Sequence, residues 1–330
     1  MNTLCTKKYI NCFKGAFLFK LIVNRLLLSV PLLFVVTFLT FFLNSLSPTD
    51  LARSILGADG TQEQYLALRT QLGLDKPMVV QYANWAWKVL HGDLGVSYFT
   101  QESVSDLLNG RIGVTFSLMV GVLIVMVIVG IALGTFSAIK GGAFGRFLDT
   151  LSMLGFIFPS FVVSLILIIV FAVWLRWFPA TGYTPLVSNP KDWALSLILP
   201  IIGLSFYSTA TVAKLTRDAM NDVMGRDFIR SLRASGISEK SVVFKHGLRN
   251  AALPVVTTLG GSMIAVIAGS VFIERVFVLP GLGSLAVGAA DQADVQLMLG
   301  CTLYFALMGV AINLLVDLSY GWLNPKVRVE

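Results

Sequence analysis

Little in this chain is equipped for covalent chemistry. No Gly-Lys dipeptide occurs among the 330 residues. A Walker A phosphate loop is therefore excluded, and ATP hydrolysis by that route with it. The two histidines, His91 and His246, fall on opposite expected sides of a membrane and cannot share a metal. The three cysteines, Cys5, Cys12 and Cys301, have no metal-binding or redox spacing, and no disulfide is expected. No nucleophile–base pair or ligand cluster stands out, which sets a membrane enzyme aside. Charge is scarce too. Only 13% of the residues are Asp, Glu, Lys or Arg, and the mean hydropathy is +0.79. A soluble domain with that much apolar surface would aggregate.

What is present is a set of long apolar runs. Six stretches carry no charge: Leu26–Thr49, Ile112–Ile139, Thr150–Leu175, Trp193–Ala213, Asn250–Ile273 and Val295–Val316. Each has the roughly 20 residues that a helix needs to cross about 30 Å of hydrocarbon. One charge at mid-bilayer costs on the order of 3 kcal/mol, so six empty windows predict six spans. The expected class is an all-α polytopic membrane protein with six transmembrane helices. With the N-terminus inside, 17 of the 25 Lys and Arg fall on the inner side, with 7 of the 18 Asp and Glu. The outer side holds the other 8 and 11. This positive-inside bias predicts that both termini are cytoplasmic. The net charge of +7 then reflects topology and anionic headgroups. A nucleic-acid partner explains it poorly, because the basic residues are split among several loops.

The expected organisation follows. Residues 1–25 form a basic cytoplasmic arm with Phe13, Phe17 and Phe19, either an interfacial amphipathic helix or a loose tail. Residues 26–44 form the first span. Its run is too long for a cleaved signal peptide, and no small-x-small site follows it. Residues 45–111 form the one sizeable external segment, long enough for two or three short helices. Within it Tyr82, Trp85 and Val89 recur at i, i+3 and i+7, a face for the membrane or for neighbouring spans. Residues 112–320 form a five-helix core, with a cytoplasmic segment at 214–250, and 321–330 form a cytoplasmic tail. Gly130 and Gly134 make a small-xxx-small pair suited to helix packing, and Phe158-Pro159-Ser160 predicts a kink. No span has an ionisable group at its middle; Glu274 and Asp317 sit at span ends. Proton- or ion-coupled carriers usually need such a group, or a broken helix at the midplane.

The most unusual stretch runs from Asp227 to Pro254, with three arginines, two lysines and a histidine between two apolar spans. Phe228, Ile229 and Leu232 share one side of a helix. Gly236 interrupts it. Ser238 is placed to cap a second helix, with Glu239 in its first turn, and Pro254 marks the start of the next span. The pattern predicts a helix–turn–helix knuckle on the inner surface, offering a small apolar face to a partner.

These residues resemble a known signature. Arg233-Ala234-Ser235-Gly236, then His246-Gly247-Leu248-Arg249-Asn250-Ala251, then Leu253-Pro254 look like the cytoplasmic motif of ABC importer permease subunits, in the peptide/nickel branch. Ser235 replaces the usual Lys. The external segment adds Leu72-Gly-Leu-Asp-Lys-Pro77, Gln81-Tyr82, Trp85 and Gly92-Asp-Leu-Gly-Val-Ser97. Glu274, Phe277 and Pro280-Gly-Leu-Gly283 follow the fifth span, and Asn313, Asp317, Tyr320 and Asn324-Pro-Lys-Val-Arg328 close the chain. The resemblance covers nearly everything from residue 20 onward.

The resemblance implies the type I ABC importer permease fold, in the cytoplasmic (inner) membrane of a bacterium. It implies a second homologous permease, two cytoplasmic ATPase subunits and an extracytoplasmic solute-binding protein. This chain would hold no cofactor, and its partners would bind ATP and Mg. Its implied ATPase-coupling residues are Phe228, Ile229, Leu232, Arg233, Ala234, Ser235, Gly236, His246, Arg249, Asn250 and Pro254. The implied cargo is a peptide, nickel or a metal chelate. The alternative is a secondary transporter or channel working alone. The missing midplane charges and the knuckle favour the importer.

Overall fold

A computed structural model describes residues 3–46, 51–57, 60–140 and 142–323. The side chains of Cys5, Cys12, Lys7, Lys8, Lys14 and Lys20 are not described, and the closing Asn324–Arg328 motif lies outside the described residues. Twelve helices follow one another: α1 Thr3–Ser45, α2 Leu51–Leu56, α3 Gln62–Gln71, α4 Met78–Leu90, α5 Val104–Lys140 and α6 Gly142–Ile157. Then come α7 Ser160–Trp174, α8 Pro190–Met224, α9 Asp227–Ala234, α10 Glu239–Val276, α11 Leu282–Asp291 and α12 Val295–Leu323. The only extended pairing among the described residues is one bridge between Val96 and Ser103.

Five helices are unbroken, apolar and long enough to span: within α1, Ile22–Ser45, and then α5, α8, α10 and α12. The expected third span is different. Pro159 has no amide hydrogen and disfavours helix in the residue before it. The chain leaves the helix at Phe158-Pro159, so the segment is two pieces, α6 and α7, neither long enough to span by itself. The expected kink is therefore a full break. The helix of the first span runs back to Thr3 through the expected arm, and α5 begins at Val104, inside the expected external segment.

α8 is the central post. Ser196, Leu199, Leu204, Val212 and Met220 along it are buried, and Asn189 caps its start by accepting from the amides of Lys191 and Asp192. Small residues let neighbours approach it. A Cβ on Gly130 would stand 3.0 Å from Val212, and one on Gly134 would be 2.6 Å from Thr216. The expected glycine pair is thus the seam between α5 and α8. Arg217 of α8 pairs with Asp149 of α6, and Arg25 of α1 with Asp317 of α12 at 2.7 Å. α1 is otherwise peripheral, with Leu27, Leu28, Val30 and Leu43 all exposed.

The external segment has three short helices. Tyr82 and Trp85 of α4 are buried against Phe41 of α1 and Leu299 of α12, with Val89 packed alongside. The i, i+3, i+7 face therefore lies on the first and last spans. Tyr82 fixes the register, its hydroxyl 2.8 Å from Thr37 Oγ1.

Candidate functional site

The expected knuckle is a single short helix, α9, wedged between the ends of two spans. Its sequence makes it strongly two-sided. Ile229 is fully buried against Met220 and Val223 of α8 and Val242, Val243 and Ala251 of α10. Leu232 and Ile237 pack against the same cluster. This corrects the expected direction of the apolar face. Ile229 and Leu232 bind α9 to its own chain, while Phe228 stays exposed with Arg226, Arg230 and Arg233. The second helix of the knuckle is also not separate. It is the first part of α10, which contains Pro254 and runs on without a stop to Val276. Likewise residues 214–224 of the expected 214–250 segment are the end of α8.

The turn is built by two devices. Gly236 has φ +78, a left-handed conformation that glycine adopts without a steric penalty. Ser238 has extended backbone geometry at the start of α10, but its side chain makes no capping bond. Arg233 reaches across the turn instead. Its Nε and Nη2 donate to the two carboxylate oxygens of Glu239 at 3.1 and 2.6 Å. Such a two-pronged pair fixes the angle between α9 and α10 more tightly than one bond would. Ala234, Ser235, Arg249 and Asn250 are exposed, and His246 is half-buried. The Asn250 amide donates to His246 O at 2.7 Å within a wider, π-type turn at Val242–Gly247.

Gly236→Val tests the turn alone. No atom lies within 4 Å of a Cβ built there, so only the backbone strain remains, about 1–2 kcal/mol. Expression and membrane insertion should be near normal. Uptake and ATPase copurification should both fall, because the turn relaxes and the exposed face is re-aimed. Normal values for both would mean that the turn angle carries no function.

Two further centres sit at the end of the bundle opposite α9. Glu274 is fully buried at the end of α10. Thr115 Oγ1 of α5 donates to its Oε1 at 2.7 Å, and the Ser284 amide of α11 to its Oε2 at 2.9 Å. The Leu282 amide donates in turn to Thr115 Oγ1. The Pro-Gly-Leu-Gly turn therefore wraps around one carboxylate. A Cβ on Gly283 would stand 2.9 Å from Glu274 Oε2 and 2.6 Å from Val271 Cα. The second centre is Asp294, also fully buried. It accepts Ser97 Oγ at 2.6 Å and the Tyr98 amide at 3.1 Å, and caps α12 through the Leu297 amide. The Gly92-Asp-Leu-Gly-Val-Ser97 stretch is thereby tied to the last span. Burial pushes the neighbouring Tyr98 hydroxyl above its ordinary pKa. Sequence reading missed Asp294 and Thr115. The one local signal for Asp294 was an acid placed immediately before an apolar run.

Between the knuckle and these outer centres lies a cavity of about 290 Å³ beside the break in the third span. Its walls are the break itself, α8 at Leu204–Ser208 and α10 at Ala265–Gly269. The two helices that hold α9 thus also wall the cavity. Nothing here is arranged for bond-making chemistry. The arrangement can transmit a push on α9 along α8 and α10 into the membrane.

Comparison with known proteins decides the family. Residues 126–329 match the family described as the binding-protein-dependent transport system inner membrane component. Residues 18–119 match the corresponding N-terminal family. The chain belongs to this family. It is a multi-pass membrane permease component of an ABC importer. A protein of Brucella abortus, named as a peptide transport system permease, is 39% identical over 311 residues, covering 94% of this chain and 99% of that protein. A peptide ABC transporter permease of Sinorhizobium fredii is 38% identical, over 93% and 98% of the two chains. The glutathione transport system permease of Escherichia coli is 36% identical, over 94% and 99%.

Proposed function

We propose that this chain is one half of the pore of an ATP-driven peptide importer in a bacterial cytoplasmic membrane. A second homologous permease completes the pore. Two cytoplasmic ATPases bind ATP and Mg and seat against α9, and an extracytoplasmic solute-binding protein delivers cargo at the outer mouth. The observation that carries this reading is the docking of α9 by Ile229 between α8 and α10, the same helices that wall the cavity at the break. A partner that displaces α9 displaces both walls. The pore then passes between outward- and inward-open forms as a two-state shift. Peptide is the proposed cargo because similar permeases carry names that refer to peptides and to glutathione. In this reading Phe228 and the exposed arginines of α9 face the ATPase, while Ile229 and Leu232 hold α9 in place. Gly236, with the Arg233–Glu239 pair, sets the angle.

Both termini lie inside in this reading. Gly60 and Asn109 are then outside, and Gly142 and Ser238 inside. Single cysteines at these positions, in a background lacking Cys5, Cys12 and Cys301, are expected to react accordingly with an impermeant thiol reagent in sealed cells. Labelling of position 238 from outside would reject the topology. The function itself is tested by purifying the chain from its native membrane and asking whether ATPase subunits accompany it. Reconstituted with them and its binding protein, it should accumulate peptide only when ATP is supplied inside. Uptake without any ATPase subunit would favour a stand-alone carrier.

A further inference from the structure

The third membrane segment leaves the helix inside the bilayer. By helix rise, Pro159 lies about 15 Å inward from Asp149, deep within the hydrocarbon layer. Non-helical backbone at that depth is tolerated only where it is buried in protein or lines a water-filled cavity. Here Phe158 and Pro159 are exposed and form one wall of the 290 Å³ cavity. The break is held on both sides. Gly155, just before it, packs on Ala210 so closely that a Cβ would clash, and Ser164, just after it, packs on Gly203 in the same way.

The cavity offers hydrogen-bond donors and no charged side chain. The Ser160 and Phe161 amides at the start of α7 have no intrahelical acceptor and no side-chain cap, whereas those of Val162 and Val163 bond to Pro159 O. That end of a helix also carries partial positive charge. Ser208 supplies the second, independent sign. It is only 4% exposed and lies on the cavity wall. The buried Ser196, Ser205 and Ser270 each donate back to their own helix. The Ser208 hydroxyl has no hydrogen-bond partner among the described residues. Its oxygen is thus free to bond a group in the cavity, which Ser160 also lines.

We propose that this break is a transient anion subsite on the transport path, at which the amides of α7 and the Ser208 hydroxyl bind a carboxylate of the passing cargo. With peptide as cargo, a point that rests on the reading above, the group bound is the C-terminal carboxylate. Donors without a fixed cation hold such a group weakly, which suits a place that the cargo must leave.

The test uses the assembled complex in proteoliposomes. Ser160→Cys, in a background lacking the three native cysteines, is modified with an anionic and a cationic methanethiosulfonate of similar size. Rates are normalised to those of a free thiol. The anionic reagent is expected to react roughly 3-fold faster or more, and adding Ser208→Asp should reverse the preference. Equal rates, or a faster cationic reagent, would overturn the anion subsite. The second arm measures uptake of a peptide with a free C-terminus and of its C-terminal amide, each first shown to bind the solute-binding protein. Ser208→Ala should lower uptake of the free acid about 10-fold, the loss of one hydrogen bond to a charged group. Uptake of the amide should change much less. Equal losses for the two, or no loss, would overturn the carboxylate assignment. If the unaltered complex carries no peptide, the cargo reading fails by itself, and the reagent rates still decide the subsite.

Discussion

Ile229→Asp should abolish uptake while leaving the membrane spans in place. The side chain is fully buried among Met220, Val223, Val242, Val243 and Ala251. Removing an aliphatic chain from such a site costs about 2–5 kcal/mol, and a carboxylate put there is desolvated without a partner, which costs more. α9 has only eight residues, too few for an isolated helix to persist in water. It therefore undocks instead of tolerating the charge. Arg230 and Arg233 then become open to trypsin in inside-out vesicles, which reads undocking without reference to transport. Two comparison variants locate the effect. Ile229→Val, at about 0.5–1.5 kcal/mol, should keep α9 docked and uptake near normal. Phe228→Ala removes an exposed ring, so it should keep α9 protease-resistant yet weaken ATPase copurification. Near-normal uptake by Ile229→Asp, with α9 still resistant to trypsin, would show that the knuckle does not drive the pore.

The same residue shows how far the sequence could be read. An apolar stripe on a short helix says that a face is covered, and it does not say by what. Phe228, Ile229 and Leu232 read as a partner surface, and two of the three prove to be the chain's own anchor. The stripe on α4 carried the same ambiguity, and there too the covering surface came from the chain itself, at α1 and α12. Features encoded within a few residues were legible. Gly236 was expected at a turn between helices, and it adopts the left-handed conformation. Phe158-Pro159-Ser160 was expected to bend the third span, since a proline's missing amide acts locally. Its depth as a full break was not expected, because it depends on Gly155 and Ser164 packing on α8. Contacts between distant parts of the chain left the least trace. Asp294 meets Ser97 across almost the whole permease core, and a serine such as Ser208 inside an apolar run reads only as a small residue for helix packing.

The break also changes the argument against a stand-alone carrier. A discontinuous helix within the membrane is a feature of secondary transporters as well. Absent midplane charges alone would then not separate the two classes. Family membership does, through residues 126–329. The structure adds a mechanical reason. A carrier working alone needs no helix such as α9, docked by Ile229 across the ends of two spans while leaving its arginines exposed.

Glu274→Ala should be the most damaging single change at the outer end. The carboxylate is fully buried and joins three elements: its own α10, α5 through Thr115, and α11 through Ser284. Alanine leaves the Ser284 amide without its acceptor and deprives the Thr115 hydroxyl of its own. Each buried group left unsatisfied costs about 1–3 kcal/mol. The lost volume adds a cavity cost, because Gly281 and Gly283 are shaped around the carboxylate and a Cβ on Gly283 has no room. The outer turn should then detach from α5, with a lower melting temperature for the purified complex and lost uptake. Glu274→Gln separates hydrogen bonding from charge. It keeps the shape and one acceptor oxygen, so it should restore most of the stability if the residue acts as a clasp. Glu274→Asp keeps the charge but is one methylene shorter, and it should fail with Ala. The opposite order, Asp restoring and Gln failing in both melting temperature and uptake, would mean that the negative charge itself is required. Glu274 would then be a functional carboxylate at the outer mouth and not the peg around which the Pro280-Gly-Leu-Gly283 turn is folded.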